Sequence, residues 1–334
     1  MEQLKISFFL TSLVVFSCLI NISHSIELCN PKDKNALLQI KNQLGPNSTF
    51  FASWLPNTDC CKTWINIGCD EKTNRVKILT IGQTNELHGQ IPLIVGDLTA
   101  LEQLWFNDLP GLTGPIPSSL SNLVNLQELM LSRTNLTGSI PSFLGRLKNL
   151  TNLGLSENHL SGPIPPSLSL LTNLQQLMLF KNQLSGQIPA SFGSFKNLIL
   201  FQAYENLLTG PLPRTLSKTG LTWLDLSNNN LTGDASILFG SNQNLILLNM
   251  SKNAISFDLT KVVFPSKLQG LDLSQNMIYG SLPKQLAQLP LELFNVSYNQ
   301  LCGPIPNGKW LTKFKADSFA HNKCLCGGPL PACT

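Results

Sequence analysis

Between Leu126 and Pro213 the hydrophobic and polar positions follow one phrase, L-x-x-L-x-L-x-x-N-x-L-x-G-x-I-P, written four times. Leu126, Leu129, Leu131, Asn135, Leu136, Gly138, Ile140 and Pro141 return as Leu150, Leu153, Leu155, Asn158, Leu160, Gly162, Ile164 and Pro165, and the phrase begins again at Leu174 and at Leu198. The L-x-L segment alternates with period two, which predicts a short strand whose leucines point inward and whose x residues face solvent. In the G-x-I-P segment Gly allows a tight bend and Pro ends pairing, so a short extended piece on the flank is expected there. The Asn reads as structure: buried turn backbone needs partners, and one amide per layer supplies them.

The first leucine of the phrase recurs every 24 residues, a period that means a leucine-rich-repeat solenoid. Repeats open at Val76, Leu101, Leu126, Leu150, Leu174, Leu198, Leu221, Leu245, Leu268 and Leu291. The expected fold is therefore an α/β solenoid, a right-handed superhelix of about ten plant-type repeats with a concave parallel sheet. A solenoid grows by adding layers, so 334 residues fit one elongated domain. The organisation predicted is a signal peptide at 1–25, an N-terminal cap at 26–75, repeats at 76–301 and a C-terminal cap at 302–334. Inside the first cap, Ala36, Leu37, Ile40, Lys41 and Leu44 have helical spacing from Asp33 to Leu44, and Gly45-Pro46 ends the helix. Two turns break the phrase. Asp234-Ala235-Ser236 replaces I-P after Gly233, and Ser256-Phe257-Asp258-Leu259 follows Ile255, so the convex flank must change shape there.

Residues 1–25 carry Lys5, an apolar run from Ile6 to Ile20, and Ser23 and Ser25, the pattern of a secretory signal. A signal anchor is the lesser reading, because the apolar run is short for a membrane span. Removing that segment takes Cys18 and leaves eight cysteines in two clusters: Cys29, Cys60, Cys61 and Cys69, then Cys302, Cys324, Cys326 and Cys333. An even count in a secreted chain reads as disulfides, with three pairings open in each cluster. Zinc is the alternative, and Cys324-Leu325-Cys326 lacks the usual spacing. Glycosylation sequons stand at Asn47, Asn135, Asn149, Asn230, Asn249 and Asn295. Those at Asn249 and Asn295 fall within strands and would place glycans on the concave face.

With 23 basic against 19 acidic residues the chain is mildly basic, too weakly to argue for nucleic acid. Arg133, Lys181 and Lys252 near one sheet edge, with Arg146, Lys148, Lys196 and Arg214 on other connections, suit an acidic polymer such as pectin. Nothing implies a cofactor or metal, and no hydrolase, nucleotide or metalloprotease motif is present. Asp225 and Asp272, two repeats apart and hence roughly 10 Å between backbones at ~4.8 Å per strand, are the best catalytic candidates. Both belong to the consensus phrase L-D-L-S, so glycosidase is a remote reading and the chain reads as a non-enzyme.

The variable outward positions are more informative. The central column runs Trp105, Met130, Gly154, Met178, Gln202, Asp225, Asn249, Asp272 and Asn295, with Phe180, Tyr204 and Trp223 beside it. Aromatic side chains facing water on a rigid sheet are typical anchors of protein interfaces. The candidate partner-binding set is Trp105, Met130, Thr151, Met178, Phe180, Gln202, Tyr204, Trp223, Asp225 and Asp272.

Beyond the repeated G-x-I-P turn, Gly233-Asp-Ala-Ser-Ile-Leu-Phe-Gly-Ser241, Phe257-Asp-Leu, Phe294-Asn-Val-Ser-Tyr-Asn299 and Cys324-Leu-Cys-Gly-Gly-Pro-Leu-Pro-Ala-Cys333 make the chain resemble plant polygalacturonase-inhibiting proteins from end to end. The resemblance implies a cell-wall protein, with no membrane span, that binds fungal endopolygalacturonases through its concave face and slows pectin hydrolysis. It also implies the pairings Cys29 with Cys60, Cys61 with Cys69, Cys302 with Cys324, and Cys326 with Cys333. Apolar Ile199, Leu200, Ile246 and Leu247 depart from the polar contacts that relatives often carry. Ice binding and signalling to a receptor are the alternative uses of such a scaffold; the mixed central column is unlike the flat, regular array that ice binding needs.

Overall fold

The computed structural model describes residues 29–240 and 243–333, so the signal segment expected at 1–25, with Cys18, lies outside the described residues. The chain opens on a helix, Pro31–Leu44, capped by Asn30, whose side chain accepts from the amides of Lys32 and Asp33 at 3.0 and 3.4 Å. Pro31 fits the first turn, where a missing N–H costs nothing, so the helix begins before Asp33, the start that hydrophobic spacing predicts. Ala36, Leu37, Ile40 and Leu44 are buried. Lys41 is not part of that apolar face: its Nζ donates to the carbonyls of Phe51 and Trp54 at 3.2 and 2.9 Å.

Buried Asp33 ties this cap to the repeats. It accepts from Arg75 Nε at 2.8 Å, Arg75 Nη2 at 3.0 Å and the amide of Val76 at 2.9 Å, a bidentate, charge-assisted clamp on the first repeat strand. Disulfides join Cys29 to Cys60 and Cys61 to Cys69 in this cap, and Cys302 to Cys324 and Cys326 to Cys333 in the other. Cys29, Cys60 and Cys61, whose sulfurs cluster as a metal site would require, are consumed by these bonds.

Ten parallel strands among the described residues, from Val76–Gly82 to Leu293–Asn295, form the concave sheet. The antiparallel strand Ile67–Cys69 covers its first edge. Inward leucines such as Leu129, Leu131, Leu153 and Leu155 are fully buried. The extended pieces on the flank form a second parallel ladder, running from Thr137–Ser139 through His159–Pro163, Gln183–Gly186, Leu207–Pro211 and Asn230–Gly233 to Ala254–Ile255. Each phrase then bends at its glycine, Gly138 at φ +81° and Gly210 at φ +74°, a conformation that disfavours any side chain. The following prolines, Pro141, Pro165, Pro189 and Pro213, open five-residue 3-10 turns on the convex side. Where the phrase breaks, these turns shrink to Ser236–Leu238 and Leu259–Lys261, and Phe239 packs on Phe257 and Phe264 with ring centroids 5.9 and 5.1 Å apart.

The asparagine column is structural. Asn182 Nδ2 donates to the carbonyls of Leu155, Leu179 and Phe180, and its Oδ1 accepts the Leu160 amide, so one side chain stitches two layers. Asn158, Asn206, Asn229, Asn253, Asn276 and Asn299 repeat the pattern. Asn135 does not belong to the column, contrary to the alignment above. The equivalent position is Thr134, buried and hydrogen-bonded through Oγ1 to Asn158 Oδ1, while Asn135 lies one residue beyond and donates to the Pro110 carbonyl. Thr134 reaches the next layer's asparagine through its hydroxyl but cannot make the amide's three donations.

Candidate functional site: the concave face

Three outward rows cross the concave sheet in register. The upstream row reads Gln103, Glu128, Asn152, Gln176, Leu200, Trp223, Leu247, Gly270 and Leu293. The central row, two residues later on each strand, reads Trp105, Met130, Gly154, Met178, Gln202, Asp225, Asn249, Asp272 and Asn295. A third row, just past the strands, holds Phe180 and Tyr204 among serines.

The sequence-predicted contact residues do not form one patch. Trp105 and Met130 are neighbours in the first half, and the indole Nε1 of Trp105 is buried without an acceptor among the described residues. A Cβ on Gly154 would lie 2.6 Å from Met130 Cε, so the methionine already fills the space above that glycine. Phe180 and Tyr204 stack on one another, centroids 4.5 Å apart and planes 5° from parallel, which spends one ring face of each internally. Trp223 is 42% exposed. Thr151 sits before its strand and donates its hydroxyl to the Gln127 carbonyl, so it serves the upstream margin of the sheet.

Asp225 and Asp272 are in register two strands apart with Asn249 between them. From Asp225 to Asn295 each central side chain folds onto the serine two residues ahead. Asp225 Oδ1 accepts from the amide and hydroxyl of Ser227 at 3.0 and 2.7 Å, and Asn249, Asp272 and Asn295 do the same with Ser251, Ser274 and Ser297. Asn249 Nδ2 donates to Asp225 Oδ2 at 3.2 Å. Burial lifts the Asp225 carboxyl above the usual range, the hydrogen bonds from Ser227 and Asn249 oppose the lift, and the charge of Asp272 adds to it. The fold thus supplies the desolvation that sequence alone does not reveal. Yet an amide separates the two carboxylates and ties up one of them, an arrangement unlike a glycosidase pair flanking a bond and water.

The cations near the downstream sheet edge share one backbone position. Asp108, Arg133, Glu157, Lys181, Glu205 and Lys252 all adopt positive φ there. Their signs alternate through most of the column, with Arg133 bridging Asp108 at 2.5 Å and Lys181 reaching Glu157 at 3.4 Å. A polyanion laid along this edge would therefore meet carboxylates as often as cations, so the basic stripe expected from sequence is a mixed one.

Family models match as the leucine rich repeat N-terminal domain at residues 30–70 and as Leucine Rich Repeat at 125–147, 149–171, 173–195 and 220–242. Polygalacturonase inhibitor 1 of Arabidopsis thaliana is 49% identical over 312 residues, 92% of this chain and 94% of that protein. The chain belongs to the polygalacturonase-inhibitor family. The alignment with the polygalacturonase inhibitor of Pyrus communis, 48% identical, takes in 132 residues, 40% of this chain and 39% of that protein. Among solved structures, a plant ice-binding protein superposes with a TM-score of 0.89 at 47% identity, covering 92% of this chain and 98% of that one. Proteins named as a polygalacturonase inhibitor and as an ice-binding protein are thus both similar to this chain over nearly its whole length.

What sequence reasoning missed is the end of the upstream row, Gly270 and Leu293. Leu293 is 47% exposed, and Gly270 opens a gap between Leu247 and Leu293. The signal was there in part: leucine at an outward strand position, directly before inward Phe294, breaks the period-two alternation.

Proposed function

We propose that this is a secreted plant cell-wall defence protein that binds fungal endopolygalacturonases through its concave face and inhibits them by obstruction, with no chemistry of its own. The observation that carries the reading is the 49% identity to a polygalacturonase inhibitor over nearly the whole of both chains. Exposed Trp223 and Leu293 on a rigid, variable sheet support it, because such side chains anchor protein interfaces. Four disulfides in the caps agree with an oxidising, extracellular setting. Of the sequons, Asn47 and Asn230 are exposed and suit glycans, whereas Asn149 and Asn249 spend their amides on the Val124 carbonyl and on Asp225. Pectin, as a second partner, fits the flank carrying Arg146, Lys196 and Arg214 better than the charge-alternating sheet edge.

The test is reducing-end release from polygalacturonic acid by a panel of fungal polygalacturonases mixed with the purified protein. Inhibition that disappears in a Trp223→Ala, Leu293→Ala double variant of unchanged melting temperature supports the reading; no inhibition across the panel by the folded protein overturns it.

A second reading, ice binding, is favoured by the 0.89 TM-score to a plant ice-binding protein. Its surface here is the flank ladder, where Thr137, Ser161, Ser185, Thr209 and Thr232 recur once per layer, rather than the ragged concave column. Inhibition of ice recrystallisation, lost in Thr209→Tyr, is its measurement.

A further inference from the structure

The upstream row ends in a notch. Trp223, Ile246, Leu247, Gly270, Glu292 and Leu293 are among the residues lining an open cleft of about 280 Å³. That is below the ~300–1,000 Å³ of small-molecule sites, and it suits the end of a single side chain. The floor is Gly270, with Leu247 and Leu293 at the same position of the strands on either side and Leu247 packed close over the glycine. A Cβ added there would lie 3.1 Å from Leu247 Cγ, so a larger residue would crowd the cleft.

The surroundings state the chemistry of what enters. No basic residue lines the cleft, whereas Glu292 does. Two residues beyond Gly270 on the same strand and the same face stands Asp272, ~7 Å along the chain at 3.3 Å per residue. Ser274 holds its Oδ1, and its Oδ2 has no hydrogen-bond partner among the described residues. Asp225 adds a second carboxylate two strands away in the same row. An apolar socket thus sits within one dipeptide's reach of an acidic row. A wholly apolar partner would leave those carboxylates desolvated and unpaired, and a neutral polar one would waste the socket.

We propose that this notch is a docking point for an extended protein segment bearing an apolar side chain and, two residues away, a lysine or arginine. The apolar side chain enters between Leu247 and Leu293 over Gly270, and the cation pairs with Asp272. Trp223 flanks the socket on the side of the preceding strands. The inference rests on the concave face being the working face, but not on the partner being a polygalacturonase.

The test selects a phage-displayed random heptapeptide library on the full-length secreted protein, with no polygalacturonase present. The expected result is enrichment of sequences with an apolar residue and Lys or Arg at a spacing of two. Synthetic peptides of that consensus should bind at least tenfold more weakly to Leu293→Glu, which charges the socket wall, and to Asp272→Asn, which removes the countercharge. Leu293 and Asp272 both face solvent, and unchanged melting temperatures confirm the variants' folding. As a further variant, Gly270→Leu fills the socket and should abolish binding of the apolar position. Enrichment of acidic or uncharged sequences, a consensus indifferent to all three variants, or no enrichment at all overturns the proposal. Because polygalacturonase inhibition is measured separately, either reading can fail without the other.

Discussion

The two halves of the concave sheet are inverted copies of one another. From the second strand of the sheet up to Leu200–Gln202 the upstream row is polar, with Gln103, Glu128, Asn152 and Gln176, and the central row carries Trp105, Met130, Gly154 and Met178. From that strand on, the upstream row is Leu200, Trp223, Leu247, Gly270 and Leu293, and the central row is Gln202, Asp225, Asn249, Asp272 and Asn295. Both halves bury an apolar inward face, and the asparagine column crosses from one to the other, with Asn158 and Asn182 in the first and Asn206 to Asn299 in the second. The scaffold therefore leaves the outward rows free, and the difference between the halves reflects what each must touch rather than what each needs to fold.

The largest expected effect tests the shared part. Asn206 donates to the carbonyls of Leu179, Ala203 and Tyr204 and accepts the Leu184 amide, all of them shielded from water. Asn206→Ala should cost about 3 kcal/mol or more, because several buried groups lose their partners at once. Asn158→Ala in the first half should cost a similar amount, and denaturant titration of both variants checks it. A large difference between the two would mean that the halves are not equivalent as scaffolds.

The next effect separates the halves. Leu293→Glu or Trp223→Ala should weaken inhibition of a susceptible polygalacturonase by at least tenfold, about 1.4 kcal/mol, while Met130→Ser in the first half changes it less. Dose-response curves of residual activity read both. Equal losses would erase the distinction drawn between the rows.

The stacked pair Phe180 and Tyr204 marks the seam between the halves. Tyr204→Ala should lower stability by about 1 kcal/mol through loss of the ring contact, measured by thermal unfolding.

The smallest effect is electrostatic. Burial holds the proton on Asp225 more tightly in the folded chain than in the unfolded one. Between the ordinary carboxylate value and the raised one the native state binds more protons, so this group's contribution to stability falls as pH rises. Asp225→Asn removes that fall. The difference in melting temperature between variant and wild type should move in the variant's favour from pH 4 to pH 7, and Asn249 and Asn295 already show that an amide can cap the following serine.

The repeat phrase made most of the architecture legible, because leucine periodicity and a once-per-turn asparagine report burial and backbone bonding directly. It misled where a residue type repeated out of step: Asn135 looks like a member of the column, but spacing from Leu126 assigns the position to Thr134, whose hydroxyl makes the layer contact. The helix start was displaced because Asn30 and Pro31 act through capping, which hydrophobic spacing does not record. Of the candidate site, single exposed residues such as Trp223 could be named from the alternation. Their grouping could not, since Gly270 and Leu293 become a notch only when three strands lie side by side. The stacking of Phe180 on Tyr204 and the pairing of Arg133 with Asp108 likewise depend on register between layers.

The most direct test of the concave-face reading is site-specific photo-crosslinking to an inhibited fungal polygalacturonase. A photoreactive phenylalanine analogue is placed either at Leu293 on the concave face or at Leu170, exposed in the convex turn Pro166–Leu170. Crosslinking from position 293 and none from position 170 is the predicted result. Crosslinking from position 170 alone would place the enzyme on the other side of the solenoid and contradict the account.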